Sequence, residues 1–264
     1  MGNLTVDRVG DAAPRVGGAV FHGARAAARL DADVSVAARC AEADRALCLH
    51  PLEALGVPVA WRAGRTTAAF AFHYEGEQRV MRVEAVGDPW LPADVEGWAA
   101  PALAGAEWVH AGALLRSDFP AATLAALGRD GRRVLLDGQG LVRRAQIGEL
   151  TVDGDVDRSA LACLRVLKLD EEEARVLAGG AEPDALRRLG VPEVVVTLGS
   201  SGSLVVTREA AERVEARPVA EGVDPTGAGD AFSLAYVAAR AGGAGPVEAA
   251  RAASEAVADL LDGP

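Results

Sequence analysis

Short apolar runs separated by helical stretches constrain this chain more than any other feature. Trp108 to Ala111, Val134 to Asp137 and Val166 to Leu169 read as strands, with a helical stretch from Pro120 to Leu127 between the first two. An acidic helix start, Asp170-Glu171-Glu172-Glu173, follows the third run. Glu193 to Leu198 and Ser203 to Thr207 then flank Gly199-Ser200-Ser201-Gly202. Runs so short and so continuously apolar are buried on both sides. With helices between them, they predict an α/β fold: a mostly parallel central sheet with helices on both faces.

The remainder extends the alternation. A Gly17-Gly18 turn opens a helix over residues 18 to 30, and Ala46 to His50 and Val57 to Trp61 read as short strands around a helical turn. From 66 to 86 the pattern changes. Phe70, Phe72 and Tyr74 alternate before Glu75-Gly76-Glu77, and Val80, Arg82 and Val83 follow, which is a hairpin signal. Two helices close the chain, divided by Gly242-Gly243 and restarting near Pro246. No internal repeat or low-complexity linker interrupts this order, so residues 1–264 are expected to form one domain with a small β excursion. Half of the residues are hydrophobic but only 4% are aromatic, so the core must be built from Val, Leu and Ala.

Charge narrows the partners. A formal net charge of −11 argues against nucleic acid or an anionic membrane surface as the main partner. No apolar run approaches the roughly 20 residues that span a bilayer. The start, Met1 to Asp7, lacks the basic and apolar regions of a signal peptide. Cys40, Cys48 and Cys163 are scattered and have no zinc spacing, so reduced thiols and a cytoplasmic setting are expected. Lys168 is the only lysine and Asn3 the only asparagine, which makes both candidates for retention by function.

The chemistry concentrates in Val223-Asp224-Pro225-Thr226-Gly227-Ala228-Gly229-Asp230-Ala231-Phe232. A glycine-rich turn opening a helix points backbone N–H groups and the positive helix end at one spot, a ready anion site. Asp230 sets a carboxylate beside it, and a base beside a phosphate cradle is the minimum for transferring a phosphoryl group to an alcohol. Asp7, Asp137, the segment Lys168 to Glu173 and the segment Thr197 to Gly202 fall at the carboxyl ends of the expected strands, where ligands of such sheets gather.

In these residues the chain resembles the ribokinase/PfkB family of carbohydrate and nucleoside kinases. Asp-Pro-Thr-Gly-Ala-Gly-Asp-Ala-Phe at 224–232 is similar to the family's C-terminal signature, and Val196 to Gly202 to its nucleotide-binding strand and turn. Gly2-Asn3 with Asp7, then Gly17-Gly18, resembles its N-terminal sugar-binding motifs. Val166 to Glu173 resembles the segment with its Asn-x-x-Glu motif, and the motifs keep the family's order along essentially the whole chain. The resemblance implies a ribokinase-like fold and transfer from ATP to a hydroxyl of a small sugar or cyclitol. Asp230 would be the general base, and Gly227, Ala228 and Gly229 the anion hole. Thr226, Thr197, Gly199, Gly202, Gly229 and Lys168 would lie along the nucleotide, and Asp170 and Glu173 would order Mg²⁺. Asp7, Gly17, Gly18 and His22 would bind the acceptor, while Arg143, in the stretch Asp137 to Arg144, would fix a phosphate or polyol. The hairpin at 66–86 would be the family's lid, which covers the acceptor and often pairs in a homodimer. Dependence on a monovalent cation stays open.

The chain departs from the family pattern at several points. His22 stands where the family has Asn, Asp170 replaces Asn, and Leu234 replaces a small residue. Little precedes Gly2, whereas relatives begin with a strand, so the first strand is shortened or the start lies upstream. The alternatives are a nucleoside kinase of the same family and a catalytically silent member that binds a ligand or partner. Two other motifs fail. Asp153 to Asp157 alternates like a calcium loop, but Arg158 and Leu164 stand where Gly and Glu are needed. Gly199-Ser200-Ser201-Gly202 is not a Gly-x-Ser-x-Gly nucleophile elbow.

Overall fold

The apolar runs become strands because each offers an apolar side chain to both faces of a sheet. The computed structural model describes residues 1–75, 78–220, 223 and 225–262. In chain order it begins with β1 (Gly2–Asn3), β2 (Thr5–Val9), β3 (Arg15–Gly17), α1 (Ala19–Arg29), β4 (Val36–Ala41), α2 (Arg45–Glu53) and β5 (Val59–Gly64). The hairpin strands β6 (Ala68–Glu75) and β7 (Gln78–Ala85) follow, then α3 (Pro92–Glu96), α4 (Ala100–Leu103), β8 (Trp108–Ala111) and α5 (Ala121–Leu127). Next come β9 (Arg133–Asp137), α6 (Gln139–Val142), β10 (Gly148–Glu149), β11 (Val166–Asp170), α7 (Glu171–Ala178) and α8 (Pro183–Arg187). The last elements are β12 (Glu193–Thr197), β13 (Ser203–Thr207), β14 (Ala211–Val214), α9 (Ala228–Ala241) and α10 (Pro246–Leu261).

The largest sheet has the order β14-β13-β12-β11-β9-β8. Pairing is parallel from β8 through β12 and antiparallel among β12, β13 and β14. Strand alternation divides its side chains cleanly. Val134, Leu136, Leu167, Leu169, Val194 and Val196 pack on one face with α5, α7 and α8. Leu135, Val166 and Val195 pack on the other with α9 and α10. Full burial of each such side chain contributes about 1.5–3 kcal/mol, so the two clusters hold the helices to the strands without many aromatic rings.

A parallel three-stranded sheet, β1-β4-β5, continues this wall. The Gly112 N–H donates to the Met1 carbonyl (2.9 Å), which sets β1 beside the end of β8. A second layer has the order β10-β7-β6-β2-β3; within it β2 runs parallel to β6, and β6 pairs antiparallel with β7. Gly76 and Glu77, the centre of the expected turn, lie outside the described residues.

Two expected strands need correction. Ala46 to His50 lies inside helix α2, where Cys48, Leu49 and Leu52 form a buried helical face; a short apolar run alone does not separate a strand from a buried helix. The neighbouring strand is Val36–Ala41, which is absent from the expectation because Arg39 breaks its apolar pattern. Arg39 is buried nonetheless, its guanidinium paired with Asp94 (2.6 Å) and stacked over Trp90. The run expected at Val57 to Trp61 becomes β5, which starts at Val59.

Candidate active site

The N-terminus of α9 is set by Gly227, which holds φ +82°. A side chain there would be strained by the backbone and would also meet the His22 ring, 2.4 Å from the position of a Cβ. The Ala228 N–H donates to the Pro225 carbonyl (3.0 Å), closing the turn. Gly229 and Asp230 follow in the first helical turn, where α-helix geometry leaves amides without intrahelical acceptors. Of the three residues expected to form the anion hole, Ala228 thus has its N–H engaged by the turn. Asp224 lies outside the described residues.

Asp230 faces a pocket of about 140 Å³ that it shares with Asp7, Gly18, His22, Arg143, Thr226 and Gly227. These residues come from β2, α1, the end of α6 and the α9 turn, so positions far apart in sequence meet. Phe70, Phe72 and Met81 of the hairpin line the same pocket. Burial raises the pKa of Asp230, and the negative charge of Asp137 raises it further, against the attraction of His22 and Lys168. A carboxyl shifted upward in this way is a stronger base once ionised. Asp7 accepts a hydrogen bond from Thr5 Oγ1 (2.6 Å). Gly17 backs that pair, since a Cβ there would overlap the Asp7 carboxylate. The Nδ1 of His22 is buried and has no hydrogen-bond partner among the described residues. Burial lowers the pKa of His22 despite Asp230 and Asp7, which favours a neutral ring.

Lys168 and the acidic start of α7 sit at the ends of the adjacent strands. Lys168 is buried, and its Nζ lies 2.9 Å from where a Gly229 Cβ would be, which brings the ammonium against the α9 turn. Burial opposes its charge, but Glu173, Asp137, Asp230 and Asp170 outweigh burial and raise its pKa. Asp170 and Glu173 form a reciprocal capping box: Glu173 N–H donates to Asp170 Oδ1 (2.8 Å), and Asp170 N–H donates to Glu173 Oε2 (2.9 Å). Burial pushes the Glu173 carboxyl up to about 7. Among the described residues no group of three His, Cys, Asp or Glu side chains is arranged to hold a metal ion. Two carboxylates at the end of β11 still suit Mg²⁺, which is usually held by one or two carboxylates together with substrate phosphates.

The third group of expected donor residues is engaged locally. Thr197 Oγ1 donates to the Leu169 carbonyl (3.2 Å). Gly202 has φ +89°, and a Cβ there would fall 2.0 Å from the Val214 carbonyl, so hairpin packing by itself requires this glycine. Gly199 opens the short turn between β12 and β13.

Several site residues escaped sequence reasoning. Gln139 Nε2 lies 3.4 Å from Asp230 Oδ1; it was visible in the Asp137 to Arg144 stretch, but nothing there distinguished it from a loop amide. His110 and Ser233 are buried against Asp137. One lay in an apolar strand and the other in an apolar helix, where no local pattern marks them.

Comparison with solved structures agrees with this architecture. A pyrophosphate-dependent kinase in the ribokinase family, solved with a pyrophosphate analog and myo-inositol, superposes with TM-score 0.84 at 21% identity, covering 100% of this chain and 93% of that one. Arabidopsis thaliana ribokinase, solved with ribose and ATP, gives TM-score 0.73 at 21% identity, with coverage of 98% and 89%. A Burkholderia thailandensis nucleoside kinase in complex with inosine gives 0.75 at 18% identity, again with coverage of 98% and 89%. The fold is ribokinase-like. Residues 5–259 match the family model for pfkB family carbohydrate kinases, and the chain belongs to that family of phosphotransferases.

Proposed function

We propose that this protein transfers the terminal phosphoryl group of ATP to a hydroxyl of a small sugar or cyclitol, with residues 1–264 acting as one kinase domain. The observation that carries the reading is Asp230, a half-buried carboxyl with a raised pKa that shares one small pocket with Asp7, His22 and Arg143 at the first turn of α9. Asp7 and the orphan Nδ1 of His22 suit a polyol: the carboxylate accepts from hydroxyls, and a neutral ring exchanges a single hydrogen bond. Phe70, Phe72 and Met81 supply an apolar cover, in keeping with a lid role for the β6–β7 hairpin that also serves a homodimer contact.

In the step itself, Asp230 takes the proton of the acceptor hydroxyl as its oxygen attacks the terminal phosphorus. The bond from the terminal phosphorus to the bridging oxygen breaks, and ADP departs with that oxygen and the electron pair. The amides of Gly229 and Asp230, with the Lys168 ammonium against the same turn, face the charge on the transferring group. Thr226 at this turn, and Thr197, Gly199 and Gly202 at the β12–β13 turn, border the path of the nucleotide. Asp170 and Glu173 would hold Mg²⁺, which neutralises phosphate charge when bound. A cytoplasmic setting fits three cysteines that are all free; no described helix is long and apolar enough to cross a membrane.

Pyrophosphate is a second reading for the donor, favoured by the buried Lys168. A fixed ammonium at the α9 turn, with Arg143 across the pocket, recognises a compact polyphosphate without help from a nucleoside. Purified protein assayed with ATP or pyrophosphate against myo-inositol, ribose and inosine separates these readings, with Asp230→Asn beside the wild type. General-base loss predicts a fall in kcat of about 10²–10⁴-fold in that variant. A variant as active as wild type removes Asp230 as the base. Turnover of inosine alone favours a nucleoside kinase, and absence of turnover with every pair favours a silent family member.

A further inference from the structure

Behind Asp230 lies a buried polar chain that the transfer step does not use. Asp137 ends β9 and is 1% exposed. One of its oxygens, Oδ1, accepts from Ser233 Oγ (2.5 Å), and the other, Oδ2, meets His110 Nε2 (2.5 Å). His110 is on β8, and Ser233 is on α9, three residues after Asp230. Ser233 thus faces the sheet from the helical turn that carries the base. Three elements meet at one carboxylate, in the cluster where α9 packs on the sheet.

We propose that His110, Asp137 and Ser233 are positioning residues for Asp230. Through Ser233, Asp137 fastens the N-terminal part of α9 to the end of β9 one turn beyond the base, and its carboxylate is a fixed negative charge behind that base. His110 secures the second oxygen, so that the carboxylate cannot turn away from the helix. The inference rests on Asp230 being the base.

The arrangement suits this role better than simple core filling. A buried carboxylate costs stability unless it is paired and hydrogen-bonded, and an apolar residue at 137 would pack between β9 and α9 without that cost. Burial works against the charge of Asp137, but His110, Lys168 and Ser233 outweigh burial and keep its carboxyl below the ordinary range. The titratable and charged groups around the two carboxylates come from every element packed there. His110 on β8, Lys168 on β11 and the Met1 amino group face Asp137. His22 on α1, Lys168, His110 and Asp137 act on Asp230, and Gln139 on α6 reaches it as a neutral donor. Asp137 is the principal negative charge in that set, so its loss moves Asp230 in a direction that neutral packing changes do not.

The test uses the full chain and three variants. Carbon-13 NMR titration of the side-chain carboxyls, with Asp230 assigned by its loss in Asp230→Asn, reads the base without any substrate. In Asp137→Asn the Asp230 midpoint is expected to fall by about one pH unit, the effect of one neighbouring like charge. In Ser233→Ala the charge remains and the tether is lost. There the midpoint is expected to hold while kcat for myo-inositol, with ATP or pyrophosphate, drops roughly tenfold or more and the acceptor KM stays nearly constant. An Asp230 midpoint unmoved in a folded Asp137→Asn overturns the proposal. If Asp137→Asn does not fold, a wild-type kcat in Ser233→Ala overturns it. Failure of Asp230 as the base is seen separately, as undiminished activity of Asp230→Asn.

Discussion

Asn3 and Lys168 are each the only residue of their kind, and the structure gives them different roles. Lys168 reaches the α9 turn. Asn3 instead anchors a buried polar junction: its Oδ1 accepts from Trp90 Nε1 (3.0 Å), and its Nδ2 donates to the Asp88 carbonyl (3.0 Å) and lies 3.4 Å from Asp118 Oδ1. Asp118 also accepts from the Leu114 and Leu115 amides (2.8 and 3.2 Å). Among the described residues no cation pairs with it, and burial pushes its carboxyl up to about 6 against those hydrogen bonds. The sign follows from linkage. Below pH 4 both folded and unfolded chains hold this proton. Between about pH 4 and 6 the folded state keeps it while the unfolded chain releases it, so stability falls as pH rises and levels off above. A shift from 3.8 to about 6 corresponds to about 3 kcal/mol. Asp118→Asn retains an oxygen for the two amides and removes the charge. Urea denaturation at pH 4 and pH 7 is therefore expected to show the variant gaining on wild type by up to about that amount between the two pH values. Equal differences at both pH values would mean that Asp118 is not the buried charge described here.

At the scale of elements, what was legible in the sequence depended on whether a constraint is local. The strands β8, β9, β11 and β12 were readable because they are short and mostly apolar, and α7 because a run of acidic residues marks its start. The strand β4 was not, since Arg39 breaks its apolar run and is compensated by Asp94, the Pro89 carbonyl, Trp90 and Trp98, all far away in sequence. The same division runs through the site. Gly227 to Asp230 announce a turn and a helix start, whereas the fit of His22 against that turn arises only when α1 packs on α9. That fit makes a prediction. Gly227→Ala meets two penalties, a left-handed backbone costing about 1–2 kcal/mol for a residue with a Cβ, and overlap with the His22 ring. His22→Ala removes only the second. Thermal denaturation of both single variants and the double variant is expected to show positive coupling, the double variant losing less than the sum of the two. Strict additivity would mean that the ring does not press on the turn.

For the molecule as a whole, long-range and local electrostatics oppose each other at the proposed donor site. The chain carries a formal net charge of −11, while the α9 turn offers an anion its amides, Lys168 and, across the pocket, Arg143. Which field governs the approach of a polyphosphate depends on screening. At an ionic strength of 0.01 M the Debye length is about 30 Å, so an incoming anion senses most of the molecule and is repelled. At 0.15 M it is about 8 Å, and the anion senses chiefly the groups at the turn. The kcat/KM for ATP or pyrophosphate is therefore expected to rise as KCl is increased from low salt toward 0.15 M at constant free Mg²⁺, while the value for an uncharged acceptor stays nearly level. A monotonic fall for the donor over that range would show that the local cations already dominate at long distance. The contrast between donor and acceptor matters here, because a general effect of salt on folding or on α9 would move both. A donor value that rises while the acceptor value stays level would assign the effect to the net charge of −11 acting on an anionic donor.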